Sequence, residues 1–234
     1  MKTAIFVEGQ TELIFVREFL KIKYDYDVDI ICNTLCANQL IYAEYNYPCP
    51  NAENHFWIIN VANDEAVLSQ ILLREEKLYE ANYDQIIGLR DMYSTRYKKY
   101  SNAIDSKLIA EFIKGSSDSL IKAKQPQKIK FFYSIMEIES WLLAFDLLFT
   151  RIHPNLTNDT IKNMVSIDLS LDPELTHFHP ASVVNEILSI IGVGYDKSKH
   201  EIESIVSKIA KEDYDSLYKK SCCQSYNGFY ECFM

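Results

Sequence analysis

The residues of this sequence whose types could do chemistry are acidic side chains that follow short apolar runs. Glu8 directly follows the run 4–7, Asp91 stands just past the run 85–89, and Glu137 and Glu139 follow the run 130–136. Short apolar runs are typical of buried strands. Because ligands of open parallel sheets bind outside the carboxyl ends of the strands, we expect these acids to converge at one edge of a sheet. Their repulsion would have to be offset by hydrogen bonds, protonation or cations.

Mg²⁺ is the cation that such a cluster of carboxylates suits. It prefers hard oxygen ligands and is commonly held by one or two carboxylates together with substrate phosphates. The sequence therefore predicts a magnesium centre, in which Mn²⁺ can substitute, for phosphoryl transfer or phosphodiester cleavage. Glu8, Asp91 and Glu137 are the predicted catalytic residues, and these three and Glu139 are the predicted metal ligands.

Neighbouring residues have alternative interpretations. Glu12 either supports the ligands of the metal or only stabilises the start of a helix through the helix dipole. Arg90 either contacts a substrate phosphate or forms an ion pair with Asp91. An extended chain would point Glu137 and Glu139 the same way, whereas a helix start would splay them apart. We favour Glu137 as the side chain that faces the site, and Glu139 is alternatively an acid in the first turn of a helix.

The elements that must position these residues alternate along the chain. Strand-like runs at 3–7, 30–35, 56–61, 85–89 and 130–136 are interleaved with helical patterns at 11–23, 64–80, 104–123 and 138–149. This alternation predicts an α/β fold with a mostly parallel central sheet and helices on both faces. Residues 40–55 lack clean periodicity and are interpreted as a long insertion between strands.

The chain beyond Thr150 has a different character. It carries short helical patterns, the clearest over 183–191 and 202–210. The predicted organisation is thus a catalytic domain over residues 1–149 and a helical C-terminal section over residues 150–234.

Composition excludes several classes of protein. The chain has 234 residues, of which 48% are hydrophobic, and so can bury a sizeable core. No apolar run approaches the roughly 20 residues that cross a bilayer, and the N-terminus lacks a signal region, so we expect a cytoplasmic protein without a membrane. Its six cysteines show no zinc-type spacing. A net charge of −9 weighs against wholesale wrapping of nucleic acid but not against a local basic groove.

Three segments resemble, in order, the successive motifs of Toprim-related bacterial proteins. They are VEGQTE at 7–12, LRDMY at 89–93 and MEIESWLL at 136–143. The resemblance is to an uncharacterised family of small Toprim-like proteins, akin to RloB-type and OLD-type nucleases. It implies a Toprim-like sheet and a Mg²⁺-dependent nuclease that hydrolyses phosphodiester bonds in DNA or RNA. It also implies a role in bacterial defence against phage, with nucleic acid as substrate and an ATPase as a candidate partner.

The sequence departs from the Toprim pattern at one position. In Toprim enzymes the first glutamate serves in acid–base work or metal binding and an Asp-x-Asp pair binds the metal, which the resemblance carries to Glu8 and Asp91. Tyr93 stands where the second aspartate is expected. Either Glu137 or Glu139 supplies the missing oxygen, or the site is weakened. The alternative is therefore a non-catalytic or regulatory Toprim-like module that acts through a partner protein; an enzyme that acts on nucleotides is a third reading.

Overall fold

The computed structural model of the chain describes residues 1–42, 44–63, 65–220 and 222–234. Its strands are β1 (Lys2–Val7), β2 (Asp29–Cys36), β3 (Gln39–Tyr42), β4 (His55–Asn60), β5 (Gln85–Asp91) and β6 (Ile129–Ser134). They form one sheet in the order β3-β2-β4-β1-β5-β6. β1 pairs in parallel with β4 and β5, β2 pairs in parallel with β4, and β3 is antiparallel to β2. The predicted α/β fold with a mostly parallel sheet is confirmed.

Helices occupy most of the remaining chain. Those before β6 are α1 (Gln10–Lys23), α2 (Val67–Glu80), α3 (Thr95–Lys98) and α4 (Ser106–Leu120). Those after β6 are α5 (Glu139–Leu143), α6 (Leu148–Ile152), α7 (Asn158–Val165), α8 (Pro173–Thr176), α9 (Pro180–Ser189), α10 (Lys199–Val206), α11 (Lys211–Lys219) and α12 (Gln224–Glu231). Within the described residues, no helix is long and apolar enough to cross a membrane.

The centre of the sheet is covered on both faces. The ring of Phe56 in β4 lies 5.4 Å from the ring of Tyr24 at the end of α1. Ile59 lies three residues after Phe56 in β4 and therefore on the opposite face. It belongs to one hydrophobic cluster with Ile71 and Leu78 of α2. Because successive side chains of a strand point to opposite faces, α1 and α2 cover different faces of the sheet. A strand covered twice needs a continuous apolar run, which is why residues 3–7 of β1 are all buried.

The predicted insertion at 40–55 begins inside an edge strand, β3, that the pattern did not reveal. Ala37 and Asn38 have φ of 48° and 63° and join β2 to β3, with Cys36 opposite Gln39. A two-residue turn with positive φ at both positions matches the twist of a hairpin. Neither residue is glycine, so the usual turn signal is missing from the sequence.

Two predicted elements differ from the structure in their bounds. The strand expected over 130–136 ends at Ser134, because Met136 has a φ of 62° and turns the chain towards α5. The helix expected over 138–149 is two short helices, α5 and α6, separated by residues 144–147. Hydrophobic periodicity continues across both breaks and therefore does not reveal them.

The described chain divides into two compact units. The first comprises residues 1–96 and 105–133 and contains the sheet up to Tyr133, whereas the second comprises residues 97–104 and 134–234 and is helical. The sequence pattern placed the boundary after Phe149 instead. Residues of α5 belong to the helical unit because Trp141 packs 5.5 Å from the ring of Tyr226 in α12, and α5 also packs against α8 and α9.

Candidate functional site

The carboxyl ends of β1 and β5 bring Glu8 and Asp91 together in the first unit. Val7 is paired with Leu89 in the parallel ladder, so Glu8 and Arg90 come next along the two strands. The backbone N–H of Asp91 donates a hydrogen bond to Oε2 of Glu8, with a distance of 3.1 Å. The carboxylate of Glu8 and the backbone of Asp91 are therefore in contact at one edge of the sheet, whereas the joint binding of an ion by the two carboxylates stays a prediction.

This edge is also where the direction of the chain connections changes. From β1 the chain passes through α1 to β2, which lies on the β4 side of β1. From β5 the chain passes through α3 and α4 to β6, on the other side. Connections that leave two neighbouring parallel strands in opposite directions open a crevice between their carboxyl ends, which is the usual ligand site of such sheets. Glu8 and Asp91 stand at that crevice.

Arg90 adds a buried positive charge beside the two acids. Its Nε lies 3.9 Å from Oε2 of Glu8 and donates to the backbone oxygen of Asp91 at 3.3 Å. The guanidinium also lies 5.5 Å from the centre of the Tyr133 ring, and the residue is only 8% exposed. Of the two interpretations offered by the sequence, ion pairing is observed, and its partner in the 3.9 Å contact is Glu8.

Glu12 has the contact expected of a residue at a helix start. Its Oε2 accepts the backbone N–H of Gly9 at 2.8 Å, and Glu12 is the third residue of α1. A Cβ at position 9 would lie 3.0 Å from this oxygen, so glycine lets the carboxylate fold back tightly. The bond satisfies a backbone donor just before the helix and places negative charge at its positive end. The geometry favours the stabilising role of Glu12.

Asn60 is a polar residue of this edge that sequence reasoning missed. It ends β4, pairs with Val7 in the ladder, and its Oδ1 accepts the N–H of Ala62 at 2.8 Å. The residue is 8% exposed. Asn60 is the single polar residue in the apolar run predicted as a strand over 56–61. Glu8 was selected because it follows an apolar strand run, and the same criterion selects Asn60.

Glu137 and Glu139 form a second acidic pair, in the helical unit. The ammonium of Lys197 donates to Oε1 of Glu137 and to Oε2 of Glu139, at 3.1 Å in each case. Glu137 also accepts the backbone N–H of Ala181 in the first turn of α9 at 3.0 Å, and Glu139 accepts the hydroxyl of Tyr195 at 2.8 Å. The sequence marks Tyr195 and Lys197 only as part of a polar segment before a helix, a candidate for a phosphate contact or a solvated face, and they were not among the predicted site residues.

Burial controls the electrostatics of this pair. Glu139 is fully buried, and desolvation raises its pKa, opposed by the charge of Lys197 and the hydroxyl of Tyr195 and reinforced by Glu137. The Lys197 side chain is 35% exposed and that of Glu137 14%. One ammonium thus serves two carboxylates. Met136 and Lys197, with φ of 62° each, both adopt the left-handed conformation, and such strain concentrates at functional sites.

The predicted metal ligands fall into two pairs, one in each unit. Among the described residues there is no group of three or more His, Cys, Asp or Glu side chains that could hold a metal ion. The donor chemistry of each pair still fits Mg²⁺, since this ion is often held by one or two carboxylates and completes its shell with water and phosphate. The convergence of Glu137 or Glu139 with Glu8 and Asp91 stays a prediction.

No protein-family model, curated protein or solved structure matches the chain. The relationship to Toprim proteins therefore stays a prediction based on the order of the three motifs. The fold and the two acidic pairs are established by the structure of this chain itself.

Proposed function

We propose that this protein is a Mg²⁺-dependent nuclease of the Toprim class that hydrolyses phosphodiester bonds in DNA or RNA. The observation that carries the proposal is the hydrogen bond from the backbone N–H of Asp91 to Oε2 of Glu8, 3.1 Å long, which holds the two acidic residues side by side at the ends of β1 and β5. Two acids at the carboxyl edge of a parallel sheet provide the oxygen ligands that Mg²⁺ shares with substrate phosphates. The biological setting we propose is bacterial defence against phage, in the cytoplasm.

Each residue of this crevice has a proposed task. Glu8 and Asp91 would hold the ion, which when bound polarises a phosphoryl oxygen and makes its water more acidic. The buried guanidinium of Arg90, 3.9 Å from Oε2 of Glu8, places a positive charge beside the acids that is suited to a phosphate oxygen. Glu8 is the carboxylate proposed to accept a proton from the attacking water.

The acids of the helical unit remain in the proposal as further oxygen ligands. A cation that binds Glu137 and Glu139 has to displace or share the Lys197 ammonium, which lies 3.1 Å from both carboxylates. The Lys197 side chain is 35% exposed, so its ammonium can move into water when a cation displaces it.

A non-catalytic or regulatory module is the second candidate, and two observations favour it. Lys197 already neutralises part of the charge on Glu137 and Glu139, and Tyr93 stands where a second aspartate is expected. A site whose acids are satisfied by the protein's own cations binds Mg²⁺ weakly. Such a module would act through a partner protein, for which an ATPase is the candidate.

Cleavage by matched variants tests the first proposal. The protein is incubated with Mg²⁺ or Mn²⁺ and single- or double-stranded DNA or RNA, alone and after addition of a candidate partner. Asp91→Asn keeps side-chain size but removes the charge, so we expect cleavage to fall at least about 100-fold, and Glu8→Gln should behave alike. Asp118→Asn, the same change at an exposed position of α4, is the control that should keep full activity.

The outcomes separate the two candidates. Cleavage that survives both Asp91→Asn and chelation by EDTA contradicts the metal mechanism. Two results together support the non-catalytic module. The wild-type protein cleaves none of the nucleic acids, and calorimetry shows no Mn²⁺ binding that Asp91→Asn removes. Circular dichroism of each variant shows whether a loss of activity reflects chemistry or unfolding.

A further inference from the structure

A second candidate site lies at the opposite, amino-terminal edge of the sheet. A groove of about 360 Å³ opens there in the first unit. The residues that matter for its chemistry are Lys2, Asp29, Ile31, His55, Trp57 and Tyr83. Its size and its lining of rings with a few polar groups are those of a small-molecule site.

The strand register assembles this groove. Lys2, His55 and Asp29 are the first residues of β1, β4 and β2 and stand side by side in the ladder. Two residues further along, on the same face, Trp57 is paired with Ile31. Helix α2 packs against β1 and β5 on this face, so the β2 side stays open and Ile31 is 47% exposed.

The two aromatic rings of the groove are held in place before any ligand binds. The indole N–H of Trp57 donates to Oδ1 of Asn33 at 2.7 Å, and the indole lies 5.9 Å from the Tyr83 ring. The ammonium of Lys2 lies 4.4 Å from the centre of the Tyr83 ring and donates to the backbone oxygen of Ala81 at 2.8 Å. Since the indole N–H already has a partner, Trp57 offers a ligand its π face, and rings fixed in advance lose little entropy on binding.

The polar groups of the groove favour an anionic ligand. Asp29 is engaged, because its Oδ1 accepts the N–H of Cys49 at 2.8 Å and its Oδ2 lies 3.2 Å from Nδ1 of His55. The His55 side chain is 41% exposed, which leaves its second ring nitrogen within reach of a ligand. Lys2 has donors beyond the one used for Ala81. A cationic ligand would meet the ammonium that already occupies the Tyr83 face.

We propose that this groove binds a nucleotide, either free or as an unpaired residue of a nucleic-acid strand. The base packs against the indole of Trp57, and the phosphate meets the ammonium of Lys2 and the imidazole of His55. Stacking on an aromatic ring tolerates any base, since every base has a π face. The site does not depend on the proposed nuclease activity, because it shares no residue with the crevice at Glu8 and Asp91.

Intrinsic fluorescence tests this site directly. The chain has two tryptophans, and Trp141 is fully buried in the other unit, so Trp57 is the accessible reporter. The protein is titrated in EDTA with adenosine monophosphate, adenosine, inorganic phosphate and a short oligothymidylate. We expect the nucleotide and the oligonucleotide to quench Trp57 emission, and Trp57→Phe to abolish the quenching while equilibrium dialysis still detects binding.

Variants divide the contribution of ring and charge. Trp57→Ala should weaken binding of adenosine monophosphate about tenfold, the effect of losing one stacked base. Lys2→Met should weaken the nucleotide but leave adenosine unchanged, because only the phosphate meets the ammonium. Tyr26→Ala removes an exposed tyrosine of the same unit, 55% exposed and outside the groove, and should change nothing.

Each outcome supports or overturns the site. Tighter binding of the oligonucleotide than of the mononucleotide identifies a strand as the ligand, and equal binding identifies the free nucleotide. Absence of quenching by both, or quenching that persists in Trp57→Phe, overturns the proposal. Since EDTA is present and Asp91→Asn should bind equally well, failure here is distinct from failure of the nuclease proposal.

Discussion

Replacing Lys197 with Met would reveal what holds the buried acidic pair. The change removes the ammonium that lies 3.1 Å from Glu137 and Glu139 but keeps the length and apolar stem of the side chain. Loss of one partner from a buried ion pair destabilises proteins by about 3–5 kcal/mol. The Lys197 side chain is 35% exposed, so water replaces part of its interaction, and Tyr195 still donates to Glu139. We therefore expect a loss of about 2–3 kcal/mol near neutral pH.

The pH dependence of this loss has a defined sign. Burial raises the pKa of Glu139 in the folded protein, and Lys197 opposes the rise. Without Lys197 the folded-state pKa increases further above its value in the unfolded chain, so the folded protein holds this proton over a wider range. Stability from such a group is complete at low pH and is lost as the pH rises through the folded pKa. The deficit of Lys197→Met should accordingly be small below about pH 5 and grow at higher pH.

Urea unfolding followed by Trp141 fluorescence measures the effect. The assay uses a Trp57→Phe background, in which the remaining tryptophan is buried in the same unit as Lys197. Lys197→Arg is the control that keeps the charge. Lys197→Met combined with Glu139→Gln should recover much of the lost free energy of unfolding, because the buried charge has gone with its partner.

Metal addition links this experiment to the candidate site. Lys197→Met leaves two carboxylates without their ammonium, so Mn²⁺ should stabilise this variant more than the wild-type protein. At a free Mn²⁺ concentration about a hundred times its Kd, binding would raise the free energy of unfolding of the variant by about 2.7 kcal/mol. Equal stabilities of Lys197→Met and wild type at pH 8 would refute the ion-pair reasoning. Absence of any Mn²⁺ effect on Lys197→Met would remove Glu137 and Glu139 from the proposed metal ligands.

Two further predictions concern the cores of the units. Burial raises the pKa of Glu174 to about 7 from 4.5, so wild-type stability should fall by about 3 kcal/mol as the pH rises through this range. The Gln side chain of Glu174→Gln cannot ionise, so the urea midpoint of this variant should change less between pH 5 and pH 8 than that of the wild type. An equal change of midpoint in the two proteins would contradict this prediction. Gly88→Ala would place a Cβ 2.8 Å from Cδ1 of Ile71 and in steric conflict with the Phe131 ring. We expect this change to lower the free energy of unfolding of the sheet unit by about 1–3 kcal/mol, measured by thermal unfolding. Gly115→Ala, with open space around position 115, is the control that should not lower the midpoint.

The sequence by itself determined the elements and the first acidic pair. The apolar run of β1 and the helical repeat of α1 are local patterns, because backbone geometry alone dictates which side chains share a face. The contact of Glu8 with Asp91 followed from a general rule, since the carboxyl ends of parallel strands share one edge. Boundaries were less readable where positive φ at Met136 or Asn38 came without a glycine.

Only the tertiary structure decided which charges meet across long separations. Lys197 is 60 residues from Glu137, and its contact depends on the packing of the helical unit and not on any periodicity. The groove beside Trp57 exists because α2 covers β1 and β5 and leaves part of the same face open, which depends on strand order. Local patterns specify which face of an element is buried, whereas the partner that buries it is selected by the packing of the whole chain.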